Sequence, residues 1–152
     1  MKIISKLFSF DEFNDFIFDF NLYEYKLKSD KHNSFNGFEG FRYFSPSCLH
    51  HGNNKEKILV AFKNSEKAEN IIGLIWYGDY GYSNNHQAVS FIDVKENYRN
   101  QGVATFLIKE LNQHLCCEQP LYLSSLSNDG KKYHIDKLFE RFITATSIIK
   151  EE

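Results

Sequence analysis

The sequence predicts a single α/β domain of the α+β kind, built on a mixed, mostly antiparallel sheet. Three observations carry that reading. Apolar runs separated by short polar connections fill residues 58–94, as in an antiparallel meander. An amphipathic stretch follows a glycine at residue 102, and a further strand and helix follow it, so the second half reads β-α-β-α. Near the start, a helix signal directly follows a strand-like run. At 152 residues the chain is long enough for one substantial core, and the domain is expected to span residues 1–152.

The elements follow in order. KIISKLF, residues 2–8, reads as a first strand. Ser9 and Glu12 then have capping-box spacing, the serine capping the helix and the glutamate reaching back, with Phe8 and Phe13 placed as a hydrophobic staple. Phe10, Phe13, Ile17 and Phe20 continue at helical spacing, which predicts a helix from Phe10 to Leu22. Residues 23–57 are polar, glycine-punctuated and rich in phenylalanine. Long irregular stretches of this kind more often serve a function, although such aromatics also plug cores. Strands are expected at Ile58 to Phe62, Ile71 to Gly78 and Ala88 to Val94. Val103, Leu107, Leu111 and Leu115 recur every four residues and predict a helix from Gly102 to Cys116. Pro120 to Leu126 reads as another strand. Ile135, Leu138, Phe139, Phe142 and Ile143 make a final helical stripe.

Composition excludes several classes. A formal net charge of −2 and a pI near 6.3 give no basic footprint for nucleic acid. Cys48, Cys116 and Cys117 cannot all pair and two are adjacent, so reduced thiols are expected rather than a disulfide framework. They also lack C-x-x-C spacing, and the six histidines show no ligand pattern beyond His50 and His51, so no metal is expected. At the N-terminus Lys6, Asp11 and Glu12 break any continuous apolar region of a signal peptide, and no segment approaches membrane-span length. A cytoplasmic protein without membrane contact is expected. Self-association as a homodimer stays open.

The chemistry-bearing stretch is ENYRNQGVATFLIKEL, residues 96–111. A strand ending at Val94, a loop and a helix start at Gly102 expose main-chain N–H groups that lack helical partners, and the macrodipole adds positive potential there. Gly102 has no Cβ to hold off a bulky anion, and Arg99 stands beside the turn. This is the design of a phosphate cradle. Neither Gly-Lys-Ser/Thr nor Gly-x-Gly-x-x-Gly occurs, so a triphosphate P-loop and a dinucleotide fold are both excluded. The alternative is a turn with a purely structural purpose.

The stretch FIDVKENYRNQGVATFLIKEL, with Arg99-Asn100-Gln101-Gly102-Val103-Ala104 at its centre, resembles the acetyl-CoA-binding signature of the GNAT superfamily of N-acetyltransferases. The close match covers about 25 residues, and the order of elements agrees from Ile58 to Ile143. The resemblance implies helices on both faces of the sheet and a splayed strand pair. It implies a cofactor, acetyl-CoA, whose pyrophosphate the amides of Gln101, Gly102, Val103, Ala104 and Thr105 would wrap, with Arg99 and Asn100 in the same turn. The backbone of Ile92 and Val94 would pair with the pantetheine arm like an added strand.

Acetyl transfer to an amine requires a neutral amine, whereas a lysine-like amine of pKa near 10.4 is mostly protonated at neutral pH. Direct attack in a ternary complex needs no enzyme nucleophile, so proximity and acid–base assistance carry the rate. A main-chain N–H around Val94 is a candidate oxyanion donor. Tyr133 is the candidate acid, although this chain lacks the family's Asn-x-x-Ala…Tyr pattern and Phe139 stands at a tyrosine position. For the base, His86 titrates in the right range, with Asp93 and water as alternatives. Asp79, Tyr80 and Tyr82 are candidates for holding a cationic acceptor, unless they only form a solvated hairpin tip. The expected reaction is acetyl-CoA-dependent N-acetylation of a primary amine on a small molecule or a protein. The alternative is a non-catalytic coenzyme-A-binding or interaction module.

Overall fold

The computed structural model describes residues 1–9, 11–13, 15–17, 56–79, 87–123 and 134–150. Within them lies one sheet of six strands in the order of the chain: β1 (Ile3–Ser9), β2 (Glu56–Lys63), β3 (Ile71–Asp79), β4 (Gln87–Val94), β5 (Leu121–Leu123) and β6 (Ile148–Lys150). The first four strands pair antiparallel, whereas β4–β5 and β5–β6 pair parallel. Parallel neighbours need a crossover. Helix α2 (Val103–Asn112) makes the first and helix α3 (Ile135–Phe142) the second. The meander and the β-α-β-α second half are thus both present.

Residues 11–13 and 15–17 are helical and belong to α1. Its start obeys the capping box: the Glu12 N–H donates to Ser9 Oγ at 3.1 Å, and the Ser9 N–H donates to Glu12 Oε1 at 3.0 Å. That second bond holds the Glu12 carboxyl below its ordinary range. Phe8 and Phe13 meet edge-on with ring centroids 5.6 Å apart, which is the expected staple. The expected helical residues Phe10 and Phe20, and the aromatic segment up to residue 55, lie outside the described residues.

The core has two layers because β2 is apolar on both faces. Ile58, Val60 and Phe62 join Phe8, Phe13, Ile17, Leu74 and Trp76 on the side of α1. Leu59 and Ala61 join Val103, Leu107, Leu111, Ile135 and Phe139 on the side of α2 and α3. Helices therefore cover both faces of the sheet. The approach of α2 is close because β3 has no side chain at Gly73. A Cβ there would stand 3.0 Å from Val103 Cγ1, 3.1 Å from Leu107 Cδ1 and 3.2 Å from the Asp93 carbonyl oxygen.

The structure departs most from expectation at the end of α2 and at β6. Helix α2 ends at Asn112 rather than Cys116. Asn112 Oδ1 accepts from the N–H groups of Thr144 and Ala145, and both the N–H and the carbonyl of Cys116 bond to the Gln87 side chain. Tertiary bonds thus claim the polar groups that another helical turn would use. Strand β5 is described only as Leu121–Leu123, the remainder of the expected strand lying outside the described residues. Strand β6 had no counterpart in the sequence reading.

Candidate active site

Strand β4 is held differently at its two ends. At its start, Gln87 is buried and its side chain spans to the loop before β5. Its Nε2–H₂ donates to the carbonyls of Cys116 and Gln119 at 2.9 and 3.0 Å, and its Oε1 accepts the Cys116 N–H at 2.9 Å. The Gln87 main-chain N–H donates to the Pro120 carbonyl. These bonds fix β4 against β5, and the parallel register runs Gln87↔Leu121, Ala88↔Tyr122 and Val89↔Leu123.

Tyr77 of β3 faces Val89, but the next residue, Trp76, faces Phe91, so Ser90 is an extra residue in β4. A bulge of this kind bends the strand that carries it. Beyond it Ile92 and Val94 partner Ile75 and Gly73 of β3. The Lys95 N–H donates to the Ile72 carbonyl at 2.9 Å. That bond makes Gly73↔Val94 a non-hydrogen-bonded pair, so the N–H and C=O of Val94 turn to the edge away from β3. With a period of two, those of Ile92 do the same. The structure thus brings the two residues expected to present an open backbone edge to the side of β5.

A 3-10 turn (Glu96–Tyr98) leads from β4 into the loop. Asn100 has φ +63° and Gly102 has φ +84°, both in the left-handed region. At Gly102 this conformation, rather than a lack of room among the described residues, demands glycine, since a Cβ would meet none of their atoms within 4 Å. No side chain caps α2, and its first described helical bond into the cap is the Phe106 N–H to the Gly102 carbonyl at 2.9 Å. The amides of Gln101, Gly102, Val103, Ala104 and Thr105 precede it, at an exposed turn over open space. Val103 is buried below, which anchors the turn to the core. The open space above Gly102 and the uncapped helix start fit a pyrophosphate, with the helix field favouring the anion.

Arg99 is less free than its place in the motif suggested. Its Nε–H donates to the Val94 carbonyl at 2.8 Å, and its guanidinium stands 3.6 Å from Asp93 Oδ1. Asp93 is buried, at 6% exposure, and Arg99 is largely so, at 17%. The guanidinium therefore braces the end of β4 at the entrance to the turn. The same pair engages Asp93, the alternative base, from the side of the turn. Gln101 donates through Nε2 to the Asn97 carbonyl at 2.9 Å, closing the turn across its mouth. Lys63 reaches the Tyr98 hydroxyl at 3.3 Å and ties the turn to β2.

The candidate acid Tyr133 and base His86 both lie outside the described residues, as do Tyr80, Tyr82 and the side chain of Asp79. Phe139 is buried against the sheet from α3. Cys116 and Cys117 are exposed free thiols. Among the described residues no group of three or more His, Cys, Asp or Glu side chains could hold a metal ion, and no helix is long and apolar enough to cross a membrane.

Residues 17–129 match the Acetyltransferase (GNAT) family. The chain belongs to this family of acetyltransferases. Its fold is also that of a structure from Exiguobacterium sp. 255-15, provisionally described as an acetyltransferase, at 12% identity over 89% of this chain and 84% of that one, with a TM-score of 0.54. A second structure, from Bacillus anthracis str. Ames, is provisionally described as a streptothricin acetyltransferase in complex with acetyl coenzyme A. It is 27% identical over 41% of this chain, with a TM-score of 0.33, and the match spans about a third of its length, 33%. No curated protein matches the chain. Acetyl-CoA, the cofactor expected from the sequence, is the cofactor of this family.

Proposed function

We propose that this protein transfers the acetyl group of acetyl-CoA to a primary amine of a small molecule or a protein, by direct attack in a ternary complex. The observation that carries the proposal is the turn 99–102, which enters α2 through left-handed Asn100 and Gly102 beside the outward-turned edge of β4. Acetyl-CoA, when bound, supplies an acyl group activated as a thioester. The residues of the chain do the rest. The amides of Gln101, Gly102, Val103, Ala104 and Thr105 bind the pyrophosphate, and the Asp93–Arg99 pair holds the turn that presents them. The main chain of Ile92 and Val94 orients the pantetheine arm. The Val94 carbonyl is already taken by Arg99, so its N–H is the group that remains for a ligand or for developing negative charge. Bringing the two reactants together replaces a bimolecular encounter by an oriented one. His86 takes the proton from the amine and Tyr133 returns one to the departing thiolate. Asp79 at the end of β3 and, after it in the sequence, Tyr80 and Tyr82 hold the cationic acceptor.

The test is free-thiol release from acetyl-CoA in the presence of a panel of primary amines. Release with at least one amine, reduced roughly 10²-fold or more by His86→Ala, supports the proposal. Binding of coenzyme A without turnover on any amine supports instead a cofactor-binding module of the same fold.

A further inference from the structure

Among the described residues, one buried side-chain polar atom has no hydrogen-bond partner: the hydroxyl of Tyr77. The residue itself is 3% exposed. Its neighbours show how strictly the rest of the interior is satisfied. Gln87 and Asp93, the buried polar residues of the adjoining strand, are both engaged, the first by hydrogen bonds and the second by Arg99. A hydroxyl enclosed without a partner carries an uncompensated desolvation cost, which a ligand's acceptor can relieve.

Its position in the sheet says which ligand. Tyr77 faces Val89, and Val89 faces Leu123, so the three residues form one row across β3, β4 and β5. The Ser90 bulge follows this row directly. A ligand pairing with the outward-turned main chain of Val94 and Ile92 runs towards this bulge, and the Tyr77 row lies directly beyond it. The Tyr77 side chain belongs to the buried layer of Val89, Leu121, Leu123, Ile135 and Phe139, under α2 and α3. Directly opposed residues project to the same face, so the Tyr77 ring stands beside Val89 of β4 in this layer.

We propose that the Tyr77 hydroxyl is a hydrogen-bond donor to a carbonyl oxygen of the ligand that enters between β4 and β5, either the acyl carbonyl or an amide carbonyl of the arm that carries it. The proposal rests on the acetyl-CoA reading above. An uncharged acceptor suits the enclosure, since an anion or an ammonium group would be costly to desolvate in this apolar layer. Burial holds the phenol at a pKa of about 12, so it keeps its proton at neutral pH and serves as donor rather than base.

Tyr77→Phe removes only the oxygen. Three measurements on the full chain read its effect: the melting temperature without ligand, the affinities for acetyl-CoA and for coenzyme A by calorimetry, and the tyrosine absorbance change on binding. The expected result is an unchanged or higher melting temperature, affinity about tenfold weaker, and loss of the tyrosine difference band. Weakening for acetyl-CoA alone assigns the acyl carbonyl, and weakening for both ligands assigns an amide of the arm. Equal binding by variant and wild type overturns the inference, whatever happens to the melting temperature. A wild-type protein that binds neither ligand overturns the acetyl-CoA reading together with it.

Discussion

Arg99 turns back onto the strand that precedes it, donating through Nε to the Val94 carbonyl at 2.8 Å while its guanidinium stands 3.6 Å from Asp93. The motif arginine thus works first as a brace between the end of β4 and the turn into α2. Removing it as Arg99→Ala leaves a nearly buried carboxylate without its cation. The expected loss is roughly 2–3 kcal/mol, below that of a fully buried pair because the arginine keeps some exposure. Asp93→Asn combined with Arg99→Ala should cost less than the sum of the two single changes. A double-mutant cycle by chemical denaturation checks this, and strict additivity would deny the pairing.

Gly73 sets the distance between α2 and the sheet. In Gly73→Ala the new methyl meets Val103, Leu107 and the Asp93 backbone at 3.0–3.2 Å, and the last of these has little freedom to move. A loss of about 1–3 kcal/mol is expected in thermal unfolding. Val103→Ala removes one of the crowding atoms, so the double variant Gly73→Ala with Val103→Ala should fall short of additivity.

The closed end of the strand pair depends on Gln87. Gln87→Leu keeps the bulk but removes the acceptor of the Cys116 N–H and one donor each from the carbonyls of Cys116 and Gln119, which keep the Gln119 N–H and the Thr146 hydroxyl respectively. The expected cost is on the order of 2–4 kcal/mol. Hydrogen exchange should show faster opening at Cys116 and at the start of β5 than at β2. Protection equal to wild type at Cys116 would contradict this role.

Tyr77 gives the protein a specific alkaline sensitivity. Its phenol ionises at about 12 in the folded chain against 10.0 ordinarily, because burial disfavours the charged form. Below pH 10 both states keep the proton, so the contribution is fully present. As pH rises from 10 to 12 the unfolded chain ionises first, and stability falls. The total loss approaches roughly 2–3 kcal/mol. Comparing denaturation midpoints at about pH 9 and about pH 11.5, Tyr77→Phe should lose less stability over this window than wild type.

Much of this was legible locally. Ser9 and Glu12 bond as their spacing demands, and the stretch 94–105 reads as strand, turn and helix because the glycine, the polar loop and the leucine period are consecutive. The rest depends on distant contacts. Strand β6 is three residues at an edge, with no alternation to betray it, and exists through its pairing with β5. Helix α2 ends at Asn112 because Thr144 and Ala145, 32 and 33 positions away along the chain, use the Asn112 side chain. IIGLIWYG reads as a buried strand, yet nothing in that run reveals that Tyr77 lacks a partner or that Gly73 makes room for a helix. The arginine was visible as a charge beside a cradle. Its commitment to Asp93 and Val94 required the fold of the turn.

The central claim is that the first turn of α2 binds the pyrophosphate of coenzyme A. Gly102 tests it most directly, since a Cβ at this position meets no atom of the described residues within 4 Å. In Gly102→Glu the backbone strain costs about 1–2 kcal/mol, while the carboxylate occupies the place of the phosphate and repels it. Calorimetric titration of coenzyme A into folded wild type and folded Gly102→Glu is the measurement. Binding by wild type and affinity at least about a hundredfold weaker in the variant is the predicted result. Equal affinity would contradict the assignment of the cradle.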